Sequence, residues 1–166
     1  MARHPDTPMV LIGESGGAYL SLGTAIRARD KNLRLPACVA LYSVLVQLDG
    51  NPERRRNDKT DMSLSADMID VISALVCPDE TMRESAEVSP IYADMKGLPP
   101  MIVAYDDGEV LAYDSEKLID KLKASGVEVS AKAYSGAFHA FPAMGKMFPE
   151  SAEVLENTIR FITKHI

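Results

Sequence analysis

Val10-Leu11-Ile12-Gly13-Glu14-Ser15-Gly16-Gly17-Ala18 is the stretch on which the reading of the chain turns. An apolar run, Met9 to Ile12, enters Gly-x-Ser-x-Gly, and a helix-like segment follows. The order is strand, sharp turn, helix, with a serine at the turn. A strand that reverses into a helix within one residue crowds its neighbours, so positions 13 and 17 are expected to exclude side chains. Ser15 is expected in a strained backbone with its hydroxyl pushed into the open. The Gly16 amide points the same way and can donate to an oxyanion. Small-residue turns produce the same five letters by chance, so the surroundings must decide.

Downstream, Ser15 to Arg29 reads as a helix with Tyr19, Leu20, Leu22 and Ile26 on one face. Pro36 opens the continuous apolar run Ala37 to Tyr42, a strand covered on both faces. Asp49 to Thr60 is a polar loop, and its Arg54-Arg55-Arg56 reads as solvated, because no glycine-rich nest accompanies it. Ser65 caps a helix with Met68, Ile69, Val71, Ile72 and Leu75 as its apolar residues. Met101 to Tyr105 is a third buried-type strand and runs into the acidic turn Asp106-Asp107-Gly108-Glu109. Asp114 to Ser125 is an amphipathic helix with Leu118, Ile119 and Leu122 inward, stopped by Gly126. Val127 to Ala133 alternates as a half-exposed strand. A loop carrying His139 follows, then a helix from Glu150 to Lys164 with Leu155, Ile159 and Ile162 on its buried face. Strands alternating with helices imply an α/β fold, a parallel sheet with flanking helices and right-handed crossovers.

The 166 residues suit one domain with a real core. With 18 basic and 24 acidic residues the formal charge is −6, which disfavours nucleic acid and anionic membranes as partners. No apolar window is long enough to span a bilayer. The polar start Met1 to Asp6 reads as no signal peptide. Cys38 and Cys77 sit in apolar surroundings as small core residues, and no metal-type Cys/His spacing appears. A reduced, cytoplasmic compartment is expected, with no cofactor.

Sites in parallel sheets lie beyond the C-terminal ends of the strands. Ser15 follows the first strand there, the acidic turn the third, and His139 the fourth. A serine hydroxyl needs a base within hydrogen-bond reach, and the base an orienting carboxylate. Of three histidines, His4 and His165 lie at the polar ends and read as solvated, leaving His139 as the base. Glu109, followed by Val110-Leu111 at the start of a helix, fits the acid best. Asp106 and Asp107 share its turn, and Asp107 stays open as the alternative. A histidine base implies activity that rises through the range where imidazoles titrate, about pH 6 to 7.

The chain resembles the C-terminal half of an esterase of the hormone-sensitive-lipase family, the microbial carboxylesterases of the α/β-hydrolase fold. The matching pieces run in order over nearly its whole length. They are Gly13-Glu14-Ser15-Gly16-Gly17, Ser89-Pro90-Ile91-Tyr92-Ala93-Asp94, Gly97-Leu98-Pro99-Pro100, Glu109-Val110-Leu111 with Asp114, Gly126-Val127-Glu128-Val129 and Gly136-x-x-His139-x-Phe141. The resemblance implies Ser15 as nucleophile, His139 as base, Glu109 as acid, Gly16 in the oxyanion hole, and short-chain esters as substrates. Gly108 departs from the family, which often has a polar or acidic residue before such a glutamate. The larger departure lies before the elbow. The family places several strands, a cap and a His-Gly-Gly-Gly loop with further oxyanion amides there, so residues 1–166 are expected to form a single truncated domain. Its first strand should have a bare edge, covered by a second copy, a complementing chain or a rearranged terminus. The competing expectation is a weak or inactive hydrolase fragment that serves as an association module.

Overall fold

The computed structural model describes residues 7–166. Four parallel strands form one sheet in the order of the chain: β1 (Val10–Glu14), β2 (Cys38–Tyr42), β3 (Met101–Asp106) and β4 (Val129–Tyr134). The main helices are α1 (Gly16–Asp30), α2 (Ala66–Val76), α3 (Ala112–Ala124) and α4 (Pro149–His165). The expected architecture is present, with β4 starting two residues later than its alternating pattern suggests.

β2 and β3 are buried at every position, as continuous apolar runs require. The period of two sends Val39, Leu41, Met101 and Val103 to one face of the sheet. There they meet Leu22 and Ile26 of α1 and Leu118, Ile119 and Leu122 of α3. Cys38, Ala40, Ile102 and Ala104 face the other way, against Val154 and Phe161 of α4. Both cysteines are buried and free. β1 lies at the edge of the sheet, and its Ile12 is 56% exposed.

Several inward faces differ from the sequence reading. On α1 the buried strip is Ala18, Leu22, Ala25 and Ile26, and Leu20 points to solvent. On α4 the strip is Ser151, Val154, Thr158 and Phe161, while Leu155 and Ile159 lie outside it. Two hydroxyls can take inward positions because each finds a partner: Ser151 Oγ donates to Phe148 O at 3.0 Å, and Thr158 Oγ1 bonds Tyr42 Oη at 2.6 Å. On α2 only Ala66, Ile69 and Ser73 are buried, so Met68, Val71, Ile72 and Leu75 make an exposed apolar face.

Arg54 corrects the solvated-loop reading of the three arginines. Its neighbours Arg55 and Arg56 are exposed ion-pair formers, but Arg54 is 1% exposed. Its Nη2 and Nε donate to Asp114 at 2.8 and 3.0 Å, and Nη2 also donates to Gln47 O at 2.6 Å. Asp114 completes the knot by accepting the Val46 N–H at 3.1 Å. His165 is likewise not solvated. Its ring packs on Phe161 with centroids 4.4 Å apart, and its Nδ1 bonds Phe161 O at 2.7 Å. His4 lies outside the described residues.

Candidate active site

β1 delivers Ser15 to the C-terminal rim of the sheet. At Ser15 the chain turns through φ 53° and ψ −119°, a conformation that costs a non-glycine residue about 1 to 3 kcal/mol. The Ser15 N–H, donating to Tyr42 O at 2.9 Å, continues the β1–β2 ladder through the turn. Gly13 is sterically required, because a Cβ there would stand 2.2 Å from Gly17 O. The expectation for Gly17 is corrected: a Cβ at that position meets open space. Ser15 is the N-cap of α1, whose first N–H groups have no partner within the helix, and Gly16, the first residue of that helix, is exposed.

His139 arrives from the loop after β4. Gly136 and Ala140 flank it with φ of 79° and 66°, and the Ala140 N–H donates to Ser43 Oγ at 3.1 Å. The ring of Phe138 packs edge-on against Phe148 at 5.9 Å, and Phe141 packs on Tyr134 at 5.1 Å. These contacts anchor the residues on both sides of the imidazole.

Glu109 arrives from the turn after β3 and is fully buried. His139 Nε2 lies 3.0 Å from Ser15 Oγ, and Nδ1 lies 3.0 Å from Glu109 Oε2. A carboxylate can only accept, so it selects the tautomer protonated on Nδ1 and leaves Nε2 free to take the serine proton. Burial pushes the Glu109 carboxyl above its ordinary pKa, and His139 and the Ser43 hydroxyl oppose that rise. Oε1 is buried with no hydrogen-bond partner among the described residues. Glu14, next to Ser15, is also raised by burial, against the pull of His139 and the Ala143 N–H.

The other acids of the turn go elsewhere. Asp107 Oδ2 accepts from Ser135 Oγ at 2.5 Å, and the Asp106 carboxylate accepts main-chain N–H groups. The structure therefore brings Ser15, His139 and Glu109 together and leaves Asp107 outside the imidazole's bonds.

The sequence reading missed the clamp on the Glu109 turn. Asn57 Nδ2 donates to Asp107 O at 2.9 Å and Glu109 O at 2.8 Å. Thr60 Oγ1 donates to Gly108 O at 2.8 Å, and Asp61 Oδ2 accepts the Val110 N–H at 2.9 Å. Nothing in one sequence separates these residues from an ordinary polar loop. Among the described residues, no group of three or more His, Cys, Asp or Glu side chains could hold a metal ion, and no helix is long and apolar enough to cross a membrane.

Comparison with known proteins gives one consistent result. A family described as having the alpha/beta hydrolase fold matches residues 2–143. An esterase of Acinetobacter venetianus is 29% identical over 93% of this chain and 52% of its own length. Esterase LipU of Mycobacterium tuberculosis is 28% identical over 93% of this chain and 54% of its own length. The crystal structure of an esterase from the bacterial hormone-sensitive lipase family superposes with a TM-score of 0.91 at 26% identity, over 98% of this chain and 56% of that one. The chain thus spans about half the length of the curated relatives it matches.

Proposed function

Because the chain belongs to the α/β-hydrolase fold family, we propose that it carries the serine, histidine and acid of a carboxylic ester hydrolase, acting on short-chain esters through an acyl-enzyme. Ser15 Oγ attacks the ester carbonyl as its proton passes to His139 Nε2. Glu109 Oε2 holds the Nδ1–H and stabilises the imidazolium that forms. The Gly16 N–H donates to the oxyanion. As the tetrahedral intermediate collapses, the alcohol leaves with the proton from Nε2. Water then attacks the acyl group, His139 takes its proton, and Ser15 is released with the carboxylic acid.

The observation that carries this reading is one imidazole bonded on both sides, to a strained serine and to a buried carboxylate, each at 3.0 Å. Hydrolysis of p-nitrophenyl acetate by the purified chain, with Ser15→Ala as control, tests it. Turnover that disappears in the variant supports the reading, and turnover retained by the variant removes it.

The edge position of β1 favours a second element of the reading. A further chain segment, from a second copy or a complementing polypeptide, covers that edge. Gly16 then acts with donors from elsewhere, and the chain alone turns over slowly, since one missing oxyanion donor costs about 100- to 1,000-fold. Concentration-dependent turnover by the isolated chain supports association, and turnover per chain that is independent of concentration argues for a self-sufficient monomer.

A further inference from the structure

The turn that bears Glu109 and the loop that bears His139 leave the sheet side by side, from β3 and β4. Asp107 N–H donates to Tyr134 O at 2.8 Å just past the strand ends. Besides Glu109 itself, a second buried side chain reaches from the acid turn to the histidine loop, that of Asp106. It is 3% exposed. Its Oδ1 accepts the Gly108 N–H at 3.0 Å, and its Oδ2 accepts the Ala137 N–H at 2.8 Å. Gly108 immediately precedes Glu109, and Ala137 lies two residues before His139. The Asp106 carbonyl also accepts the Glu109 N–H at 3.2 Å. A carboxylate with one oxygen on each segment makes two charge-assisted hydrogen bonds of fixed geometry.

Gly108 fits the same device. A Cβ at that position would stand 3.0 Å from Asp106 Oδ1, so the glycine lets the carboxylate close on its own turn. The clamp from Asn57, Thr60 and Asp61 holds the acid turn alone. Asp106 holds the acid turn to the histidine loop.

We propose that Asp106 is a positioning residue: by bridging Gly108 and Ala137 it sets the separation at which Glu109 meets the imidazole of His139. The claim rests on the proposed hydrolase reading for its effect on reactivity, and on geometry alone for its effect on the imidazole.

The test measures two quantities in Asp106→Asn, which keeps the size of the side chain but replaces one acceptor with a donor. One is the second-order rate of labelling by a fluorophosphonate. The other is the low-field proton resonance of the His139 Nδ1–H, assigned by its loss in His139→Ala. Labelling is expected to slow by about 10- to 100-fold, since small misplacements of reacting groups carry costs of that order. The resonance is expected to move upfield or broaden. Gly108→Ala pushes on the same carboxylate without removing it and should shift the resonance the same way by less. Ser135→Ala removes the exposed Ser135–Asp107 link between the same two segments and should leave both quantities unchanged. Parental labelling with an unmoved resonance in Asp106→Asn overturns the proposal. Slow labelling with an unmoved resonance also overturns it, because the loss is then not transmitted through the imidazole. If the parent chain does not label at all, the hydrolase reading fails, and the resonance in Asp106→Asn alone decides the positioning role.

Discussion

On its inner side β1 pairs with β2 from Val10 opposite Cys38 to Glu14 opposite Tyr42, and the Ser15 N–H extends the match. On its outer side the same strand pairs with nothing among the described residues, and Ile12 stands half in solvent. Every side chain that the proposed mechanism uses to move a proton lies on the inner side. Ser15, His139 and Glu109 come from the ends of β1, β4 and β3, and polar contacts from Ser43, Asn57 and Asp106 hold the segments of the latter two. Among the described residues the outer side offers a row of unpaired backbone groups, the usual invitation to another strand. The contrast teaches that four strands suffice to bring a serine, an imidazole and a buried carboxylate within hydrogen-bond reach while one edge of the sheet is unpaired among the described residues.

The comparison breaks most completely at Ser15. Ser15→Ala is expected to remove about a million-fold of turnover, as loss of a nucleophile does elsewhere, with the fold unchanged by circular dichroism. Residual turnover near the parental rate places the chemistry outside the inner side.

Glu109→Gln comes next, with a loss of about 10,000-fold expected from the wrong imidazole tautomer. The same variant has a second readout. Burial raises the Glu109 pKa in the folded chain above its ordinary 4.5. The folded state therefore binds this proton more tightly than the unfolded state. The stability so contributed is present below 4.5 and is lost as pH rises through the raised value. Glutamine does not titrate, so the melting temperature of Glu109→Gln should gain on the parent as pH rises through the window from 4.5 to the raised value. A gap that stays constant across that window shows that burial of the charge costs nothing here.

Arg54→Ala probes the support behind the site. It leaves Asp114 buried and unpaired, and a loss of about 3 to 5 kcal/mol is expected in urea unfolding. A loss under about 1 kcal/mol assigns the ion pair no structural weight.

The smallest effect sharpens the contrast from the other side. Val71→Gln and Leu75→Gln on the exposed face of α2 should change stability by no more than about 0.5 kcal/mol in dilute solution. A loss of about 2 kcal/mol that grows with protein concentration shows that this face is covered in an assembly.

How much of this was legible in the sequence follows from what kind of signal each part carries. β2 and β3 announce themselves as unbroken apolar runs, and α3 buries the leucines its period assigns. Ser15 and His139 were recoverable because each follows a strand on the same rim. Glu109 was preferred to Asp107 for the Val110-Leu111 that follows it, and Asp107 stayed open until the fold set Glu109 on the imidazole and Asp107 on Ser135. What stayed hidden depends on partners far off in the chain. Arg54 looks like a surface residue until Asp114, 60 positions later, is placed beside it. Thr158 turns inward because Tyr42, 116 positions earlier, meets it. Asp106 reads as one acid among three until Ala137 arrives. Hydropathy scores a residue by its own side chain, and in each of these cases the partner decides.

The central claim is that His139 activates Ser15, and the fluorophosphonate labelling rate followed across pH reports on it most directly. The account predicts a single adduct on Ser15 by mass spectrometry. Its rate of formation rises with pH, as a reaction that needs an unprotonated base must, and is lost in His139→Ala. A rate that is flat from about pH 5 to about pH 9, or an adduct that forms equally fast without the imidazole, contradicts it.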